Sequence, residues 1–254
     1  MSSASNGPAG PQSRVRRNRN LLLALLAVVV LAGVAAGGYG LWYILVGPSS
    51  PVSVDSAPPA IPSVSITAPA SMDGTWNVNG SLGSIDDGTA SFAGYRVQEQ
   101  LVGVGGHTAV GRTTKITGSM TLTGAIVTDV QVTADLTALQ SDNPQRDNQL
   151  THQAIETNTF PSATFKTTGT IDLGTLPADG TSVSASASGE LTLHGVTRTV
   201  TIALQAMRRG GVIAVAGSLP IVFSDYSIGK PNSFSVLTVD DHGIMELHLL
   251  FTHA

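Results

Sequence analysis

The sequence predicts an all-β domain with one short helix, preceded by an N-terminal transmembrane helix. Three observations carry this. From residue 72 to the C-terminus, apolar and polar residues alternate in short runs; period-2 alternation buries one face of a strand and wets the other. Charged residues make up only 12% of the chain while Gly alone supplies 28 of 254 positions, a composition that favours strands and turns over helices. Near the N-terminus a single apolar run carries no charge.

Residues 1–20 are polar and Arg-containing and read as a disordered cytoplasmic tail. Residues 21–46, from Leu21 to Val46, read LLLALLAVVVLAGVAAGGYGLWYILV. About 20 apolar residues suffice to span a bilayer as a helix. Arg14, Arg16, Arg17 and Arg19 precede the run, and no basic residue follows until Arg96. The positive-inside rule then predicts a single-pass cell-membrane protein with its C-terminal part extracytoplasmic, partnered with the membrane through this helix. The alternative is a signal peptide cleaved near Val34-Ala35-Ala36, which would release a secreted domain. Residues 47–71 are rich in Pro, Ser and Ala and read as a semi-extended linker holding residues 72–254 off the membrane.

The clearest strand is 129–136, DVQVTADL, with Val130, Val132, Ala134 and Leu136 on one face. The pattern recurs at Ile116/Gly118/Met120/Leu122, Val200/Ile202/Leu204/Ala206, Ile213 to Phe223 in steps of two, and Met245/Leu247/Leu249/Phe251. With Trp76/Val78, Phe165/Ile171 and Leu191/Leu193, roughly eight strands are counted, and short turns between them imply an antiparallel sheet closed into a barrel or folded into a sandwich. Residues 141–157 break the pattern. Asp142-Asn143-Pro144 supplies a cap and a first-turn proline, so a short helix is expected there.

The chain has no cysteine, which excludes disulfides, thiolate nucleophiles and cysteine-ligated metals. From Asp73 onward 9 basic residues face 16 acidic ones, a net charge of −7 that disfavours nucleic acid as a partner. Neither Gly-x-Ser-x-Gly nor His-Glu-x-x-His occurs. His242 and His248 would share a strand face about 20 Å apart, too far for one metal ion. His248, on the face opposite Leu247 and Leu249, is expected to point outward into solvent. No catalytic residue, metal site or cofactor is therefore assigned.

Four stretches in order, RDNQL (146–150), FPSATFKTTG (160–169), GELTLHGVTRTVTI (189–202) and SDYSIG (224–229), resemble the YceI-like family of lipid- or polyisoprenoid-binding envelope proteins. GTWNVNGSLGSI (74–85) suits that family's first strand. The resemblance covers residue 74 to the C-terminus. It implies an eight-stranded antiparallel lipocalin-like β-barrel with one short helix, enclosing an elongated apolar cavity. Two segments depart from the family pattern: 93–112 is Gly-rich without a Lys–His pairing, and the segment after Ile228 lacks a long acidic loop. Both are expected to border the cavity mouth.

On this reading the protein binds an isoprenoid or other long-chain lipid, or a quinone, without catalysis. An envelope barrel packed solid, and an enzyme acting on such a lipid, are the alternatives. The inward residues expected to line the cavity are Met120, Leu122, Val130, Val132, Leu136, Phe160, Phe165, Leu191, Leu193, Val200, Ile202, Leu204, Phe223, Leu247 and Leu249. Arg146 either pins the helix to the rim through an ion pair or meets an anionic headgroup at the mouth. Tyr226 likewise either packs at the rim or offers its hydroxyl to a polar ligand end. His194 and Gly195 are placed in the turn between two strands, with Gly195 supplying positive φ.

Overall fold

A computed structural model describes residues 60–254 apart from 64, 104 and 232–235. The expected tail, the expected transmembrane helix at 21–46 and the linker up to residue 59 lie outside the described residues. No helix among the described residues is long and apolar enough to cross a membrane.

Thirteen strands form one antiparallel sheet: β1 (Gly74–Val78), β2 (Phe92–Leu101), β3 (Gly105–Thr113), β4 (Ile116–Thr123), β5 (Ile126–Asp135), β6 (Gln140–Ser141), β7 (Ser162–Thr167), β8 (Ile171–Asp172), β9 (Ser182–Leu193), β10 (Val196–Arg209), β11 (Val212–Val222), β12 (Val236–Val239) and β13 (His242–His253). Eight of them, in the order β1-β4-β5-β7-β9-β10-β11-β13, close into a barrel because β13 pairs back onto β1. Closure leaves this ring no open edge. The end of β13 from Phe251 to His253 pairs with β1, while Ile244 to His248 pair with β2. The β2–β3 hairpin therefore continues the wall where β1 stops.

Among the described residues one α-helix, α1 (Pro144–Gln149), runs on into a π turn at Leu150–Ala154. The expected cap is present: the Asn143 side chain accepts from the Gln145 and Arg146 amides. In β5 the simple alternation fails. Asp129 has φ 53, and the pairing with β4 shifts register between Ser119 and Thr121. This bulge inserts one residue, so Val127 and Val130 both face the barrel interior although their numbers differ in parity.

The outer wall is not uniformly wet. Ile61 and Ile66 pack on Val212, Ala214 and Leu250, and the Gly211 amide donates to the Ile66 carbonyl at 2.8 Å. The C-terminal part of the expected spacer is thus strapped to the barrel. His248 points outward as expected but is 2% exposed, correcting its assignment to solvent. Its Nδ1–H donates to the Ala90 carbonyl at 2.8 Å, beneath the covering segments. Glu246, also outward, is 0% exposed and accepts from Arg112 at 2.6 and 2.9 Å, with Arg96 Nε at 2.9 Å from its other oxygen. The Gly-rich segment expected as a mouth loop is the β2–β3 hairpin, and β12 pairs with β2.

Candidate functional site

The barrel interior is divided. One part is a core of Trp76, Met120, Leu122, Ile213, Leu249, Phe251 and neighbours. The other gathers Leu191, Ile221 and Tyr226, with Leu193, Val196, Val200 and Phe223 packed on them. Phe165 packs against both.

A cavity of about 110 Å³ lies in the first part. Its walls come from β4, β5 and β7 to β11, together with β13. Met120, Leu122, Val127, Val130, Val132, Phe165, Ile202, Leu204, Leu247 and Leu249 form much of its surface. β9 contributes Val183, Ala185 and Ala187, and the two alanines, together with Ala206 from β10, are the smallest apolar side chains of the wall. Small inward residues at this height leave the space that larger ones would fill. Met72, Met120 and Met207 also line it, and an unbranched thioether adapts readily to the shape of an occupant.

At its outer end the cavity meets Leu173, Leu176 and Pro177 from the loop after β8, and Met207 and Arg208 from the end of β10. This rim is tied together. The Gly180 amide donates to the Arg208 carbonyl at 2.7 Å, the Gly210 amide donates to Asp179 Oδ1 at 2.8 Å, and Arg208 Nη1 lies 3.1 Å from Asp179 Oδ1. Leu176 remains 38% exposed, an apolar lip.

Of the residues expected to line the cavity, the structure places nine on it: Met120, Leu122, Val130, Val132, Phe165, Ile202, Leu204, Leu247 and Leu249. The other six lie elsewhere. Leu191, Leu193, Val200 and Phe223 belong to the second cluster. They face inward, but at the opposite height, beyond Phe165. Leu136 falls just past β5 in a short 3-10 turn and is buried there, its amide donating to the Pro161 carbonyl. Phe160 tilts against His194 with ring centroids 4.2 Å apart.

Arg146 and Tyr226 are also away from the cavity, among residues that do not line it. Arg146 Nη2 lies 2.7 Å from Glu99 Oε1 and its Nη1 2.5 Å from Asp142 Oδ1. Burial alone would lower the pKa of this guanidinium, but the Glu99 carboxylate holds it above its ordinary value. His107 Nδ1–H donates to the same Glu99 oxygen at 3.0 Å. The Tyr95 hydroxyl is buried without a hydrogen-bond partner, and burial pushes its pKa far up. This polar group sits on the inward side of β2 and β3 and anchors α1 to the wall. Tyr226 is 3% exposed, and burial likewise raises its phenol pKa. Its carbonyl accepts from His194 Nδ1–H at 3.0 Å, while His194 Nε2 is 3.0 Å from Glu156 Oε2. Both partners are acceptors, so only a ring carrying both protons makes both bonds. His194 (φ 51) and Gly195 (φ 72) form the β9–β10 turn, the two positive φ angles that a two-residue hairpin favours.

The sequence signal for the cavity wall was present but easily passed over. Residues 182–188 read SVSASAS, strict alternation with unusually small inward members. Arg208 carried no such signal, because its role depends on where β10 ends.

Barrel, dividing phenylalanine and apolar cavity agree with one match along the chain: residues 84–251 fit the YceI-like domain. The chain belongs to the YceI-like family. Among curated relatives, UPF0312 protein VPA0850 of Vibrio parahaemolyticus serotype O3:K6 (strain RIMD 2210633) is 29% identical over 120 residues, 44% of this chain. The match spans 60% of that relative's length, less than two thirds. A solved polyisoprenoid binding domain from Saccharophagus degradans, implicated in plant cell wall breakdown, superposes with a TM-score of 0.52 at 17% identity, covering 72% of this chain and 99% of that one. At that identity the likeness speaks for the YceI-like fold. BcnA of Burkholderia cenocepacia is 22% identical over 62% of this chain and 95% of its own, with a TM-score of 0.48.

Proposed function

We propose that this YceI-like barrel is a non-catalytic binding module that takes up the apolar chain of an isoprenoid or other long-chain lipid, a quinone tail included. The observation that carries the proposal is the cavity, whose lining among the described residues is apolar except for Arg208. Each Å² of apolar surface removed from water contributes about 25 cal/mol, so a tail needs no specific polar contact to be held. A cavity of about 110 Å³ accommodates a chain end, since an engineered cavity of roughly 150 Å³ holds benzene. Further length enters as the lining methionines move and as Phe165 swings from between the two clusters. The polyisoprenoid binding named for the Saccharophagus domain is consistent with this reading.

We further propose that residues 21–46 anchor the barrel on the extracytoplasmic side of a membrane, where such lipids reside. Native mass spectrometry of gently extracted protein, with and without added polyprenol or menaquinone, tests the binding. A lipid-mass adduct is the expected result; an apoprotein that no added lipid shifts would overturn the proposal.

A further inference from the structure

We infer that Phe165 sets the length of apolar chain the cavity takes up, because its ring closes the inner end; the inference rests on the lipid-binding reading above. The boundary between the cavity and the second cluster recurs on four strands. On β9 Ala187 lines the cavity and Leu191 belongs to the second cluster; on β10 Ile202 and Val200 divide in the same way. So do Val215 and Leu219 on β11, and Leu247 and Met245 on β13. Among the described residues Phe165 alone both lines the cavity and packs on the second cluster. It stands in register between Val132, a cavity residue, and Leu191, which lies beyond.

Two of these strands carry a glycine at the boundary itself, Gly189 on β9 and Gly217 on β11. Each leaves a hollow that a neighbouring strand fills. A Cβ at residue 189 would lie 2.7 Å from the Phe165 ring, and one at residue 217 would lie 2.6 Å from Leu204 Cδ2. The ring therefore has a seat in the wall, which holds it across the inner end of the cavity. The methionines of the lining bend to suit an occupant, whereas a seated ring must turn as a unit. The lining runs from Val183 to Ala187 on β9, about 13 Å at ~3.3 Å per residue, which suits a medium-length chain better than a complete polyprenol. Up to the ring, each further methylene leaves water and tightens binding about fourfold. Beyond that length the surplus stays at the Leu176 rim, or the ring leaves its seat over Gly189 and gives up that packing. The ligand class is thus a medium-length apolar chain, or the terminal part of a longer one.

The test uses full-length protein in phosphatidylcholine nanodiscs and displacement of the neutral dye N-phenyl-1-naphthylamine by hexanol, octanol, decanol, dodecanol and hexadecanol. For each alcohol the readout is the affinity of Phe165→Ala divided by that of the wild-type protein, a ratio in which partition into the bilayer cancels. Removing the ring makes room for about two more methylenes at about fourfold each. The ratio is expected to stay level for the short alcohols and to rise about tenfold for the long ones. Phe165→Leu should show the same rise in smaller measure, and it decides the matter if thermal unfolding finds Phe165→Ala unfolded. Val200 pairs with Gly189, so Val200→Phe added to Phe165→Ala returns a ring to the vacated space and should abolish the rise. A ratio that is the same at every length, or a rise that survives the added Val200→Phe, overturns the inference while leaving lipid binding in place. Failure of every alcohol to displace the dye overturns both.

Discussion

Phe165 leans over Gly189: a Cβ built at residue 189 would lie 2.7 Å from the tip of the Phe165 ring and closer still to the Lys166 carbonyl oxygen. The glycine makes room for the aromatic ring that separates the cavity from the second cluster. Gly189→Ala is expected to displace both ring and strand, lowering stability by about 1–3 kcal/mol as overpacking does. Urea denaturation measures it. Unchanged stability would show that Phe165 is not held by this contact.

The outer wall yields a second expectation. Glu246, 0% exposed, lies between Arg96 and Arg112, and Arg112 stacks over the Phe92 ring at 4.5 Å. Glu246→Gln leaves two guanidinium groups together without their carboxylate. Breaking a buried pair from one side costs about 3–5 kcal/mol, and the partial exposure of both arginines places the expected loss at about 3 kcal/mol. A loss below about 1 kcal/mol, the range of a surface pair, would contradict the buried network.

His248 makes stability depend on pH. Burial lowers its pKa from 6.5, with the Ala90 and Ala60 carbonyls pulling the other way. Protonation therefore favours the unfolded chain. The contribution is complete above pH 6.5 and is lost as pH falls toward the folded value. Between pH 7.5 and 5.5 the wild-type protein should lose more stability than His248→Asn, which keeps a donor for Ala90. Equal slopes in paired denaturation curves would show that His248 does not titrate this way.

The strap formed by Ile61 and Ile66 on Val212, Ala214 and Leu250 gives another expectation. Ile66→Asp puts a charge against that apolar surface. It should cost roughly 1–3 kcal/mol and open residues 60–67 to protease. Cleavage there at the same rate in both proteins would mean the strap is not docked in solution.

Much of the barrel was legible because its strands alternate: β10 and β13 present Ile202, Leu204, Leu247 and Leu249 inward, as their spacing requires. Height along the barrel axis was not legible. Leu191 and Ala187 share a strand face, yet one packs with Tyr226 and the other lines the cavity. Parity assigns a face and says nothing of depth. The outward burial of His248 was missed because strand alternation predicts a wet outer face. A hint lay in β11, VIAVAGSLPIV, nearly apolar at both parities, which is how a strand covered on both sides reads. For Arg146 the sequence offered both an ion pair pinning the helix to the rim and a headgroup contact, and only the fold shows its fork engaged by Glu99 and Asp142.

The central claim is that a lipid chain occupies the space beside Ala187 and Ala206, and filling that space tests it most directly. Ala187→Phe and Ala206→Phe each place a ring in the cavity, and thermal unfolding establishes that the variant is folded. The measurement is the amount of copurified lipid per protein by mass spectrometry after gentle extraction. The expected result is a lipid-loaded wild-type protein and a folded variant stripped of it. Equal lipid load in wild-type and filled proteins, or none in either, would contradict the account.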